Sequence, residues 1–317
     1  MPPPSAPHPL DLAAGGYAYL ERPNATLLAL AGRHVLGGRP RPRLLDVGCG
    51  AGANARALRE RAPGAFLAGI EPDPGAAALA REACDEVFAG RVENWLAAHG
   101  GSAAPFDGVL LSDVLEHVVD PLALLRSLVA APALARATLL VSVPNYAVWY
   151  NRLRTLAGRF DYAPSGLYDR THLRFFTRAS LRGLVAAAGL AILEEASTPS
   201  LVQAAAPWLR RAFGAELARG EHLALDSSAL YRVYRDALEP AETALCGAWP
   251  TLLGFQLVLA AEGGVGGPPP APLPGNPATT APAALGLPAM APRSDPLLGH
   301  CRQSARGGDP IFLACRQ

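Results

Sequence analysis

Between Leu44 and Asn54 a short apolar run passes through Asp46-Val47 and breaks into glycines at alternate positions, Gly48, Gly50 and Gly52. The helix-forming run Ala55-Arg56-Ala57-Leu58-Arg59-Glu60-Arg61 follows at once. The pattern is strand, tight turn, helix. Glycine reaches backbone conformations closed to other residues and lets a ligand approach the main chain, while a helix start offers N–H groups with no partner inside the helix. A chain built on such a unit is α/β, and its turn reads as a nucleotide-type binding loop.

The following segments repeat the alternation. Pro63-Gly64 ends the first helix, Phe66 to Ile70 predicts a second strand ending at Glu71, and Asp73-Pro74 reads as cap and first residue of a helix over Gly75 to Ala83. Strands are expected around Glu86 to Ala89, Phe106 to Asp113 and Thr138 to Val143, with a helix over Leu122 to Ala130 opened by Asp120-Pro121. Thr177 caps a helix over Arg178 to Ala188, Leu190 to Glu195 makes a sixth strand, and Gly254 to Ala261 a seventh, read as antiparallel to the sixth. The expected fold is a Rossmann-like, doubly wound, mostly parallel seven-stranded sheet with a final antiparallel strand. Such sheets bind ligands at the carboxyl ends of their strands, where the glycine turn, Glu71, Asp113 and Pro144-Asn145 all fall.

Residues 144 to 176 make no regular alternation and concentrate aromatic side chains; leaving a strand's carboxyl end, they read as a lid over the ligand face. Residues 197 to 252 read as a helical insert capping the same face. The domain then spans 17 to 262, between a flexible Pro- and Gly-rich start at 1 to 16 and a tail at 263 to 317. That tail holds eleven of the 31 prolines, so disorder is expected there.

Half of the 317 residues are hydrophobic, enough for a sizeable core, and the formal net charge is only +1 with no block of like charge, which argues against a nucleic-acid partner. No stretch approaches the ~20 apolar residues of a membrane span, and the start lacks a signal-peptide pattern. The five cysteines are scattered, with no pair at metal-ligand spacing. A cytoplasmic location without a bound metal is the expectation; His8, His34, His99, His222 and His300 stand isolated.

The loop taken alone also satisfies the dinucleotide pattern G-x-G-x-x-A over Gly48 to Ala53, which keeps an NAD-dependent oxidoreductase in play. Asp46 weighs against it, since a carboxylate just before the turn repels a pyrophosphate and attracts a cation.

The order Asp46-Val47-Gly48-Cys49-Gly50-Ala51-Gly52, Gly69-Ile70-Glu71 and Asp113-Val114-Leu115-Glu116-His117 resembles the class I S-adenosylmethionine-dependent methyltransferases. Val143-Pro144-Asn145, Gly158-Arg159-Phe160-Asp161-Tyr162 and Tyr168-Asp169-Arg170-Thr171-His172-Leu173-Arg174-Phe175-Phe176-Thr177 resemble a bacterial branch often associated with glycosyltransferases. That branch is similar in layout to methionine-biosynthesis W-type proteins and quinone O-methyltransferases. The resemblance covers about residues 17 to 195. It implies S-adenosyl-L-methionine as cofactor, with Gly48, Gly50 and Gly52 lining its methionine and ribose, Asp46 supporting that end and Glu71 taking the ribose hydroxyls. Family members usually carry an acidic residue near Arg91 to read the adenine; Glu93 is the candidate to take its place, the alternative being an ordinary helix-face charge, and Asp113 completes the cofactor set.

Methyl transfer from a sulfonium needs mainly positioning and water exclusion, and a hydroxyl acceptor adds the need for a base. The catalytic candidates are Asp113, His117 and His172; Tyr146, Tyr168, Asp169 and Arg174 are candidates for holding the acceptor. The expected reaction is O-methylation of a small-molecule or glycan-linked acceptor, with a glycosyltransferase or other biosynthetic-pathway protein as possible partner. The alternative is a non-catalytic module that binds the cofactor or its product, S-adenosylhomocysteine, and acts through a partner protein.

Overall fold

The computed structural model describes residues 23–101, 103–163, 166–199 and 237–263. All of them lie in the first of two compact units, Met1–Leu273; the second, Pro274–Gln317, falls outside the described residues, as do the expected flexible start and nearly all of the expected tail.

Seven strands form one sheet: β1 (Arg43–Val47), β2 (Phe66–Glu71), β3 (Glu86–Ala89), β4 (Gly108–Ser112), β5 (Thr138–Pro144), β6 (Leu190–Ser197) and β7 (Gln256–Gly263), in the order β3-β2-β1-β4-β5-β7-β6. The first five are mutually parallel; β7 runs antiparallel to both β5 and β6, between which it lies. Crossover connections between parallel strands require helices, and here they are α2 (Ala53–Arg61), α3 (Pro74–Ala80), α4 (Val92–His99) and α5 (Pro121–Ala130). A helix before the sheet, α1 (Ala25–Ala31), continues into a π-helical turn at Gly32–Leu36, and α6 (Trp149–Leu156), α7 (Arg178–Ala187), α8 (Glu239–Ala248) and α9 (Pro250–Leu253) complete the described helices.

The period of two along each strand divides the core. Leu45, Val47, Val109, Leu111, Leu139, Val141, Leu257 and Leu259 face one layer with Trp95, Leu125, Leu128, Leu181 and Val185 of α4, α5 and α7. Leu44, Leu67, Leu110, Leu140, Val258 and Ala260 face the other, with Leu27, Leu28, Leu30 of α1 and Ala55 and Leu58 of α2. The helix starts anticipated from sequence are made: Asp73 accepts from Ala76 N–H, Asp120 from Ala123 N–H, and Thr177 forms a reciprocal cap with Ser180.

Two readings change. The 144–176 segment is not irregular throughout, because Trp149–Leu156 is helical; its aromatic spacing conceals the turn periodicity. Of the expected 197–252 insert, Glu239–Ala248 and Pro250–Leu253 are helices, Ser197 still belongs to β6, and 200–236 lie outside the described residues.

Asn145, which follows β5, is completely buried. Its Nδ2 donates toward the carbonyls of Gly254 at 2.8 Å, Thr251 at 3.0 Å and, at 3.4 Å, Pro250; its Oδ1 accepts from Ala147 N–H at 3.0 Å. The side chain thus pins the end of β5 to the approach of β7. Asn145→Ala strands buried carbonyls and is expected to cost about 3 kcal/mol, read as a lowered midpoint in urea denaturation.

Candidate functional site

Strand alternation sets the side chain of Asp46 on the Leu44 face, opposite Gly69 of β2. The turn that follows takes φ of +71° at Gly48, +54° at Gly50 and +87° at Gly52. A Cβ on Gly48 would come 2.9 Å from Val114 Cγ2, and one on Gly52 would come 3.2 Å from Ala80 Cα, so both conformation and space demand glycine. The loop is tied to β2: Gly48 and Cys49 donate their N–H groups to Ile70 O at 2.8 and 3.1 Å, and Gly50 N–H donates to Glu71 Oε2 at 2.9 Å. The other oxygen, Glu71 Oε1, accepts from Asp73 N–H at 2.9 Å. Glu71, 2% exposed, therefore joins the glycine loop to the start of α3.

Asp46 is handled differently. It is 4% exposed and neither carboxylate oxygen meets a hydrogen-bond partner among the described residues. Burial pushes its pKa up to about 7, opposed by the nearby Asn54 side chain and reinforced by the Glu71 carboxylate. A buried carboxylate without a partner at the foot of a glycine loop is a site for positive charge.

Asp113, just after β4, has φ +54°, unusual for a residue with a side chain. Gln256 Nε2, from the first residue of β7, donates to both of its carboxylate oxygens at 2.8 and 2.7 Å. Burial raises the Asp113 pKa to about 6, with Gln256 and Ser142 opposing. Gln256 is itself part of a chain: its Oε1 accepts from Asn24 Nδ2 at 3.3 Å and Thr198 Oγ1 at 3.4 Å, and Asn24 N–H donates to Asn54 Oδ1 at 3.1 Å. A polar path thus crosses the carboxyl edge from α2 to β7.

Beyond Asp113 a 3₁₀ turn, Leu115–His117, carries Glu116 and His117 to the lid. Leu173 and Arg174 donate their N–H groups to Glu116 O at 2.7 and 3.0 Å, fastening lid to turn. The His117 and His172 rings meet edge to face with centroids 4.8 Å apart. Thr171 Oγ1 and Thr171 O lie 3.1 and 3.2 Å from His117 Nδ1, and Asp169 Oδ1 accepts from both Thr171 N–H and Thr171 Oγ1 at 2.8 Å. Burial lowers the pKa of both histidines, so neutral imidazoles face Glu116 at pH 7. Glu116 is 1% exposed, without a hydrogen-bond partner for its carboxylate among the described residues, and burial with the Asp113 charge raises its pKa well above the usual range.

The acceptor candidates occupy other settings. Tyr168 is buried, its hydroxyl donating to Asn151 Oδ1 and its ring lying under the Arg154 guanidinium at 4.7 Å. Tyr146 packs edge-on against Phe175 at 5.3 Å, and Phe160 against Tyr168 at 5.0 Å, so these rings build the lid from within. Arg174 is exposed and donates to Val119 O; Glu93 is exposed beside Arg91 at 3.3 Å. The structure therefore gathers Asp46, the glycines and Glu71 at one point, and Asp113, His117 and His172 with Glu116 at another. Gln256, Asn24, Asn54 and Thr171 were not singled out from sequence; uncharged amides and hydroxyls scattered over the chain carry no local signal.

The family model described as a methyltransferase domain matches residues 15–195. The chain is 33% identical over 169 residues to a ubiquinone biosynthesis O-methyltransferase of Methylocella silvestris, a match covering 49% of this chain and 62% of that relative. Among solved structures it is similar to a SAM-dependent methyltransferase from Archaeoglobus fulgidus, with TM-score 0.45 and 16% identity over 74% of this chain and 91% of that one.

The Gln256 contacts yield a stability prediction. Gln256→Leu removes both amide bonds to the Asp113 carboxylate, leaving it the Ser142 side chain, and breaks the path to Asn24; a hydrogen bond to a charged group is worth about 1.5–3 kcal/mol, and a loss of that size is expected in denaturant titration at pH 7.5.

Proposed function

This chain belongs to the methyltransferase domain family, and on that premise we propose that it transfers a methyl group from S-adenosylmethionine to a hydroxyl of a small-molecule or glycan-linked acceptor. The observation that carries the reading is Asp46: a desolvated carboxylate whose oxygens meet no hydrogen-bond partner among the described residues, beneath a glycine turn, suits a ligand bearing an ammonium and a sulfonium, and opposes a pyrophosphate. The O-methyltransferase relative supports an oxygen acceptor, although the match spans less than two thirds of that protein.

The residues fit the cofactor. Gly48, Gly50 and Gly52 would line its methionine and ribose, with Asp46 at the charged end. Glu71 would take the ribose hydroxyls from the end of β2, where its backbone contacts hold it against the glycine loop. Glu93, exposed on the first turn of α4, is the candidate for the adenine amino group. When bound, S-adenosylmethionine supplies a methyl group already activated by its positive sulfur.

The chain's own work is then to orient an acceptor and take its proton. Neutral imidazoles at His117 and His172 are in the state a general base requires. Asp113, held by Gln256, would position rather than abstract, and Tyr146, Tyr168, Asp169 and Arg174 would shape the lid around the acceptor.

Calorimetry should show binding of S-adenosylmethionine and none of NAD; the reverse would overturn the reading. Labelled S-adenosylmethionine with host extract tests transfer, and persistent absence of labelled product would favour a binding module. Glu71→Ala is expected to weaken cofactor binding about 10- to 100-fold. His172→Ala should spare binding and slow turnover about 100-fold or more; unchanged turnover would leave His172 structural.

The Asp46 shift has a sign that can be read. Its free-protein pKa of about 7 means the carboxylate is protonated below that pH and charged above it. A cationic cofactor prefers the charged form, so affinity should fall as pH drops from 8 to 6, and Asp46→Asn should flatten that dependence.

A further inference from the structure

Glu116, His117 and His172 each offer one ligand atom, and these atoms all lie within 4.8 Å of one another. We propose that this set binds a divalent transition-metal ion, with the two imidazoles and the carboxylate as protein ligands and the remaining positions open to an acceptor oxygen.

The hydrogen bonds around the histidines decide which nitrogens are available. The Nδ1 of His172 lies 3.2 Å from Leu167 O, and a carbonyl can only accept, so that nitrogen carries the proton. His117 Nδ1 faces Thr171 O at 3.2 Å and Thr171 Oγ1 at 3.1 Å. The single hydroxyl proton of Thr171 goes to Asp169 Oδ1 at 2.8 Å, so Thr171 Oγ1 also accepts from His117 Nδ1. Both rings are thereby held in the tautomer whose Nε2 has a free lone pair. This is the arrangement of metal-binding histidines, in which a backbone carbonyl or a carboxylate-linked group fixes the far nitrogen.

Glu116 supplies the second, independent observation. Its side chain is 1% exposed and both oxygens lack a hydrogen-bond partner among the described residues, while its backbone carbonyl is already engaged by Leu173 and Arg174. A carboxylate buried in that way calls for a cation. Around an ion with bonds of about 2.0–2.2 Å, ligand atoms sit roughly 3–3.5 Å apart, so occupancy needs a closure of up to about 1–2 Å, within reach of side-chain torsions. Two imidazoles and one carboxylate leave coordination positions open and suit zinc, iron(II), cobalt or manganese rather than calcium. His117 remains partly exposed and gives the ion a way in. No spacing in the sequence announces this set, because His172 reaches it only through the lid.

The proposal rests on the methyl-transfer reading only for what the ion would do there: hold an acceptor hydroxyl and lower its pKa, the proton leaving to solvent, so that in the metal-bound protein the ion replaces the imidazoles as the group that activates the acceptor. Its test does not need turnover. Full-length protein stripped with a chelator is titrated with Co²⁺ and Zn²⁺. Expected are one equivalent bound with a Kd about micromolar or tighter, visible d–d absorption with Co²⁺, and displacement of Co²⁺ by Zn²⁺. Glu116→Gln and His172→Ala should each weaken binding at least about 100-fold while keeping cofactor affinity by calorimetry. Where a variant fails that calorimetric check for folding, the electron paramagnetic resonance spectrum of Cu²⁺ on the unaltered protein decides, and coupling to two imidazole nitrogens is expected. Failure to saturate at one equivalent, affinity untouched in folded variants, or a Cu²⁺ spectrum without two imidazoles would overturn the metal site and leave a metal-free acid–base cluster. Failure of S-adenosylmethionine to bind would instead overturn the methyltransferase reading.

Discussion

Desolvated carboxylates at the carboxyl edge of a parallel sheet are the constraint on which this molecule turns. Four of them, Asp46, Glu71, Asp113 and Glu116, sit where strands β1, β2 and β4 end or just beyond. Each charge taken from water costs several kcal/mol unless something replaces the lost hydration. Glu71 is satisfied by backbone N–H groups of the glycine loop and of the residue that caps α3, Asp113 by the amide of Gln256. Asp46 and Glu116 are left without hydrogen-bond partners among the described residues. The division is informative, because the two satisfied carboxylates also fix backbone, whereas the two unsatisfied ones do nothing for the free protein that an apolar residue would not do better. Buried acids left in that state are where an outside partner would gain most.

The scaffold was legible in the sequence because its signals are local. A β1 strand ending in alternating glycines, caps at Asp73, Asp120 and Thr177, and buried runs at Leu110 and Leu140 each announce an element within a few residues of themselves. The antiparallel β7 was legible for the same reason, though its place between β5 and β6 comes only from the pairing. The site was half legible. Asp46, Glu71 and Asp113 mark themselves by being acidic at strand ends, but Gln256 lies far down the chain from the aspartate it holds, and Thr171 orients His117 across the lid. Such contacts are created by tertiary folding and have no periodicity to read.

The lid is held from within: Tyr146 meets Phe175, and Phe160 meets Tyr168 and Phe175, edge to face, and Val148, Leu167 and Tyr168 form a small core of their own. A connection that leaves the sheet edge cannot draw on the main core, so it must carry its own apolar cluster to stay ordered. That internal core lets Asp169, Thr171 and His172 be presented in a fixed geometry, and rigidity of supporting residues is what a reacting group requires.

The two halves of the edge are not independent. Asn54 stands at the start of α2 beside Asp46, and through Asn24 and Gln256 it is linked by hydrogen bonds to Asp113, whose charge in turn raises the Glu116 pKa. The amides of Asn24 and Gln256 carry this link across the edge: Asn24 Nδ2 donates to Gln256 Oε1, and Gln256 Nε2 donates to both Asp113 oxygens. Amides serve this purpose where carboxylates or lysines would not: each offers a donor and an acceptor on one rigid plane, and passes orientation along without adding charge. Neutral groups thus bridge the carboxyl edge of the sheet from Asn54, beside the glycine loop, to Asp113.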